Sequence, residues 1–138
     1  CCYCNKETSS KNFKMWEVEH VLPRVDFPAF MFEPLNLAVG CPDCNTAKGR
    51  KKISKSKTYK RFPKNSNSYL IVHPHLDSYE DNIHNVGHVY LPKTPKGKTT
   101  IIVCNLLRFA ENFIDWENPA DVAAIDESIA EIGLDPKK

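Results

Sequence analysis

Residues 14–21 alternate, with Met15, Glu17 and Glu19 on one side and Trp16, Val18 and His20 on the other, which predicts a short strand ended by Pro23. Residues 24–34 carry Pro28 and Pro34 among Phe27, Phe30 and Phe32, a pattern of a loop anchored by its aromatics. Residues 35–39 supply a second strand. Residues 42–52 then read as a helix, with Pro42 tolerated in the first turn and Asp43 favourable at the positive end of the dipole. The polar, basic stretch 54–68 is too poor in apolar residues for a regular element and predicts a loop. Residues 69–72, 88–91 and 99–103 are apolar and β-branched enough for strands, and the last two, separated by the turn-rich 92–98, are expected to pair as a hairpin. Leu106, Leu107, Ala110, Phe113 and Ile114 recur at helical spacing and predict a helix ending near Asn118. Asn118 as cap and Pro119 in the first turn open another, with Val122, Ile125, Ile129 and Ile132 on its apolar face and Gly133 as its stop. The expected fold class is α+β.

A chain of 138 residues can bury one modest core. The expected organisation is a finger with a basic segment over 1–62 and a strand-and-helix extension over 63–138, packed on the same domain. The formal charge of +2 says little, but its distribution says more. Lys48, Arg50, Lys51, Lys52, Lys55, Lys57, Lys60 and Arg61 follow one another with no acidic residue between, whereas residues 111–135 are strongly acidic. Such a stripe fits a polyanion lying across one face, with Lys48, Arg50, Lys51, Lys52 and Lys55 as the nucleic-acid contacts; the alternative is a solvated loop. No stretch approaches the roughly twenty apolar residues of a membrane span and no basic-then-apolar leader is present, so a soluble, cytoplasmic chain is expected. Cys1 is preceded by no initiator methionine, and a further N-terminal region is expected.

Six cysteines would permit a disulfide scaffold, yet two are spaced Cys1-x-x-Cys4 and two Cys41-x-x-Cys44, with long polar sequence between the pairs. Two such knuckles are suited to one tetrahedral zinc, whose binding contributes folding free energy directly. Cys1 is preferred to Cys2 because only Cys1 has the two-residue gap to Cys4; Cys2 and Cys104 are left as spare thiols. A redox role for Cys41-Pro42-Asp43-Cys44 remains a rival and would call for a preceding βαβ pattern, which is absent.

Between the knuckles lie residues with the chemistry of phosphodiester hydrolysis. His20 can take a proton from water near neutral pH. Glu19 and Asn45 offer oxygen ligands for magnesium or manganese. Asn36 can orient the imidazole through a hydrogen bond. In Glu19-His20 with Pro23, in Asn36-Leu37, and in Cys41-x-x-Cys44-Asn45-x-x-Lys48-Gly49, the chain resembles the HNH nuclease superfamily in its two-knuckle zinc form. The resemblance implies a ββα-metal finger with His20, Asn36, Glu19 and Asn45 as catalytic residues. Asparagine at the third position makes it an H-N-N variant. A zinc ion on Cys1, Cys4, Cys41 and Cys44, a catalytic magnesium or manganese on Glu19 and Asn45, and cleavage of DNA to 5′-phosphate ends are further implied. Residues 71–81, with His73-Pro74-His75-Leu76-Asp77, and residues 96–108, ending in Arg108, look like segments of HNH proteins from bacterial anti-phage systems, including Septu-type nucleases paired with an ATPase. A defensive role and an ATPase partner follow from that resemblance. For His73, His75, Asp77 and His84 a metal or phosphate contact stands beside the plainer reading of a turn capped by its aspartate. Two rival functions stay open: a non-catalytic zinc-dependent nucleic-acid-binding module, and a docking subunit for a larger partner.

Overall fold

Two short strands and a helix form the first unit of the fold: β1 (Glu17–His20), β2 (Leu37–Gly40) and α1 (Pro42–Lys48). The computed structural model describes residues 1–7, 12–113 and 115–131. β1 and β2 are antiparallel, with Glu17 opposite Gly40 and His20 opposite Leu37. Residues 13–15 form a 3-10 turn ahead of β1, so the strand starts later than the alternation alone implies. Helix α1 begins on Cys41, whose sulfur accepts the Cys44 N–H at 3.4 Å, with Pro42 in the first turn. It stops at Gly49, which takes a φ of +48° that side-chain-bearing residues adopt at a cost, and is shorter than the expected span to residue 52.

The second half consists of α2 (Tyr79–Asn82), the antiparallel hairpin β3 (Ile83–Val86) and β4 (Val89–Pro92), α3 (Pro95–Val103), α4 (Arg108–Phe113) and α5 (Pro119–Glu131). Residues 99–103 are therefore helical, where β-branching predicts a strand, and the partner of β4 is β3. The reasons are local and tertiary together. Thr94 caps α3 by accepting the Gly97 N–H at 3.1 Å, and Pro95 occupies the first turn. Thr99 and Thr100 donate their hydroxyls to the Pro95 and Lys96 carbonyls at 3.0 and 2.8 Å, so both are satisfied within the helix. Gly97 lies so close to α2 that a Cβ there would fall 2.0 Å from the Asn82 carbonyl oxygen.

Residues 69–72 likewise form no strand beyond a single bridge between Ser54 and Tyr69. Their backbone is satisfied by other means: Leu70 N–H donates to Ile53 O at 2.8 Å and Val72 N–H to the Thr100 hydroxyl at 2.8 Å. Asn105, at φ +50°, separates α3 from α4, so Leu106 and Leu107 precede the helix they were expected to join. Ile114, Ile132 and Gly133 lie outside the described residues.

Val21, Leu22, Ile53, Tyr69, Ile71, Ile83, Ile101 and Leu106 share one core, each aliphatic side chain contributing roughly 1.5–3 kcal/mol of transfer free energy. Tyrosine hydroxyls tie the halves together. Tyr79 donates to Tyr3 O at 2.8 Å, and Tyr90 donates to the Cys4 carbonyl. Among the described residues no helix is long and apolar enough to cross a membrane.

Candidate active site

The knuckles converge. The Cys1, Cys4, Cys41 and Cys44 sulfurs lie within 4.8 Å of one another, the separation expected of ligands about 2.3 Å from one tetrahedral zinc. Cys2 and Cys104 stand outside this group. Hydrogen bonds from the Cys4 and Cys44 thiols pull the Cys41 thiol well below its ordinary range, while Cys4 and Cys41 push Cys44 far up. Four sulfurs packed this closely are the donor set that a soft divalent cation selects.

Arg108, from the far half of the chain, donates Nη2 to Cys44 Sγ at 3.2 Å and lies 4.4 Å from the centre of the Phe109 ring. A guanidinium here offsets the excess charge of a zinc tetrathiolate and holds α4 on the finger. Arg108→Gln is expected to speed transfer of zinc to a chromophoric chelator, with affinity falling about 10–100-fold, the usual scale for such a support. An unchanged release rate in a folded variant would deny Arg108 that role.

On the face of the hairpin covered by α1, two acid–helix contacts follow in order. Asn45 donates Nδ2 to Glu17 Oε2 at 2.6 Å, at the surface. One turn on, Lys48 pairs with Glu19 Oε1 at 2.6 Å, both side chains no more than 2% exposed. Tyr3 donates its hydroxyl to the same Oε1 at 3.0 Å, and Lys48 Nζ also donates to His20 O at 2.9 Å. Lys48 consequently does not belong to the surface stripe in which its sequence position places it. A charged pair this deep persists because each member is compensated, and removing one member typically costs about 3–5 kcal/mol. Lys48→Met is expected to lower stability to denaturant by that amount, and adding Glu19→Gln should recover part of it by removing the stranded charge. If the single variant unfolds at the parental midpoint, the pair is not coupled.

His20 is half-buried, and its Nε2 lies 3.1 Å from the Met31 carbonyl oxygen. A carbonyl only accepts, so Nε2 carries the proton and Nδ1 keeps a basic lone pair. Asn36, fully buried, does not touch the imidazole as expected. Its Oδ1 accepts the Leu22 N–H at 2.7 Å, and its Nδ2 donates to the Leu22 and Phe30 carbonyls, each at 3.1 Å. The reason is register: Asn36 immediately precedes β2, turns inward and closes the loop between the strands. It acts on His20 at one remove, by holding the chain that presents Met31.

Arg50, Lys51, Lys52 and Lys55 are exposed. Arg50 forks onto Asp26, whose carboxyl it holds below the usual range, and Lys51 donates to Val103 O at 3.2 Å. The histidine-rich segment takes the plainer of its two readings. Asp77 closes a turn by accepting the His73 N–H at 2.7 Å and pairs with Lys96 at 2.6 Å. His75 Nε2 donates to Leu37 O at 2.6 Å on the outer side of β2. Burial drives His73 down to about 4, so it stays neutral; its ring meets Tyr69 edge-on at 4.4 Å between centres.

The ββα frame, the four-sulfur cluster and the histidine at the strand end agree with what sequence comparison finds. Residues 1–51 match the HNH endonuclease family model. The HNH match thus covers both knuckles, the hairpin and α1, and the remainder of the chain lies beyond it. A curated relative, a Septu protein, PtuB, of Bacillus thuringiensis, is 30% identical over 106 residues, which is 77% of this chain and 36% of that protein. The chain therefore spans about a third of the relative's length. No solved structure matches it. The likeness to HNH proteins, Septu members included, is accordingly borne out by two independent comparisons and by the sulfur cluster.

Glu17, Tyr3 and the Met31 carbonyl are the parts of this region that sequence reasoning missed, whereas Arg108, read as a phosphate contact or an exposed helix-start arginine, lies on the Cys44 sulfur. Glu17 had a signal, since it shares the alternation face of Glu19. Nothing in the sequence pointed to the other two, which act through a backbone carbonyl or across a long separation.

Proposed function

We propose that this chain is the nuclease part of a bacterial anti-phage protein, a divalent-cation-dependent endonuclease that hydrolyses DNA. The observation that carries this reading is the contact of His20 Nε2 with the Met31 carbonyl, which leaves Nδ1 to take a proton, on a hairpin that meets α1 through Glu17 with Asn45 and Glu19 with Lys48. The HNH family match and the Septu relative support the same chemistry and the same setting.

His20 is the general base, taking a proton from water at Nδ1. Asn36 is a positioning residue that fixes the loop beside it. Tyr3 and Lys48 both meet the Glu19 carboxylate at Oε1, so Oε2 is the oxygen assigned to a cation, and Asn45 contributes its amide oxygen. This set of hard oxygen donors fits magnesium or manganese. Such a cation, when bound, neutralises charge on the phosphate and on the leaving oxygen. Arg50, Lys51, Lys52 and Lys55 hold the phosphate backbone through counterion release. The cysteine cluster, with zinc bound, keeps β2 and α1 in register, and the protein works in the cytoplasm beside an ATPase subunit.

The test is plasmid cleavage by the whole protein, with its co-purified partner, across magnesium, manganese, nickel and chelator. Cleavage that needs added cation and stops with chelator supports the reading. DNA binding with no cleavage under any cation favours a zinc-dependent binding module instead.

A further inference from the structure

Glu17 takes no part in the chemistry assigned above, yet it holds a residue that does. Alternation along β1 turns Glu17 to the same side as Glu19, and the ladder sets it opposite Gly40, one residue before Cys41, the cap of α1. The hairpin register therefore brings its carboxylate to the start of the helix. There Asn45 donates Nδ2 to Glu17 Oε2 at 2.6 Å. Among the described residues no other hydrogen-bond partner meets the Asn45 side chain.

Which end of the amide meets Glu17 is decided by the carboxylate. A carboxylate only accepts, so it takes the NH2 end and repels the amide oxygen. Oδ1 is thereby turned away from Glu17 and left without a protein partner, the form in which an asparagine serves a hard cation. The two ends of an amide are nearly equal in size, and with the carboxylate gone no other contact of this side chain would choose between them. The contact lies at the surface, where substitutions change stability little, so its consequence is the orientation of Asn45 rather than the persistence of the fold.

We propose that Glu17 is a positioning residue for the catalytic cation, fixing the Asn45 amide with its oxygen free for magnesium or manganese. Resting on the nuclease reading, in which Asn45 is a cation ligand, this role adds a carboxylate that acts through Asn45 without itself binding the metal.

Manganese binding is measured without DNA, by loss of the free-ion electron paramagnetic resonance signal, and Glu17→Gln is compared in two backgrounds, the parent and Asn45→Asp. In the parent background the glutamine offers both a donor and an acceptor, the amide is no longer held one way, and affinity is expected to fall about tenfold, the low end of the scale for such supports. In the Asn45→Asp background an aspartate presents an oxygen whichever way it turns, so that loss should largely vanish. The same charge is removed in both, which cancels any through-space attraction of Glu17 for the cation. A second readout needs no metal: the side-chain NH2 resonances of Asn45, assigned by their absence from Asn45→Asp, should move upfield in Glu17→Gln as the charge-assisted hydrogen bond is lost. Equal losses in the two backgrounds would make Glu17 a charge or a ligand in its own right, and parental affinity in Glu17→Gln would make the contact an ordinary surface one; either result overturns the proposal. Asn45→Ala separates this from the nuclease reading. If it binds manganese as tightly as the parent, Asn45 holds no cation and both fall together, whereas weakened binding in Asn45→Ala beside an unaffected Glu17→Gln removes the role of Glu17 alone. Melting temperature and zinc content near parental values confirm that the variants are folded.

Discussion

Replacing Cys41 with serine is expected to unfold the N-terminal third of the chain. Structural zinc contributes an apparent 10–16 kcal/mol in small fingers at neutral pH. A whole domain is stable by only about 5–15 kcal/mol. Loss of one ligand from the cluster of Cys1, Cys4, Cys41 and Cys44 therefore removes a term as large as the total. Cys41 also accepts the Cys44 N–H as the cap of α1, so the same change weakens the helix that carries Asn45 and Lys48. With the sulfur cluster broken, the Cys44 sulfur that Arg108 holds is no longer fixed by a metal, and the hold of α4 on the finger weakens. Zinc analysis after dialysis should give about one equivalent for the parent and far less for the variant. Cys2→Ser, which changes a thiol outside the cluster, should keep its zinc. A zinc-free parent, or a Cys41→Ser protein melting like the parent, would remove the metal from the account of this fold.

His20→Ala should lower cleavage by about a hundred- to ten-thousand-fold, the range typical of a general base. The side chain touches the Met31 carbonyl and is only half-buried, so its loss leaves Glu19, Lys48 and Asn45 in their contacts. DNA affinity, cation affinity and zinc content are accordingly expected to stay near parental values. Glu19→Ala should behave differently. It strands the Lys48 ammonium in a site 2% exposed, and both stability and cation binding should fall. Measuring single-turnover cleavage beside DNA binding separates the two effects. Parental cleavage by purified His20→Ala protein would end the assignment of this histidine as the base, whatever the fate of the zinc.

Much of this site was open to reading from residues alone, because its information is short-range. A tetrahedral ion needs paired thiols at a two-residue gap, and Cys1-x-x-Cys4 and Cys41-x-x-Cys44 state that gap outright. Strand alternation placed Glu17 with Glu19, and both do face α1. Proline and asparagine at 118–119 marked the start of α5 for the same reason, since caps act within one turn.

Tertiary structure decided what short spacing cannot. Residues 99–103 are β-branched and read as a strand, but Thr94 at the cap and the close approach of Gly97 to Asn82 make them helical. Lys48 stands first in a run of basic residues, yet its charge is drawn inward by Glu19, whose own burial is compensated also by Tyr3, 16 positions earlier in the chain. Asn36 carries the same amide whether it holds an imidazole or a loop, and only the path of residues 22–30 selects the loop. Arg108 reaches Cys44 across 64 positions of sequence. Whether a polar side chain ends in water, in an ion pair or on a backbone carbonyl depends on which partner the packed chain offers within hydrogen-bond reach, and that is a property of the assembled core rather than of neighbouring residues.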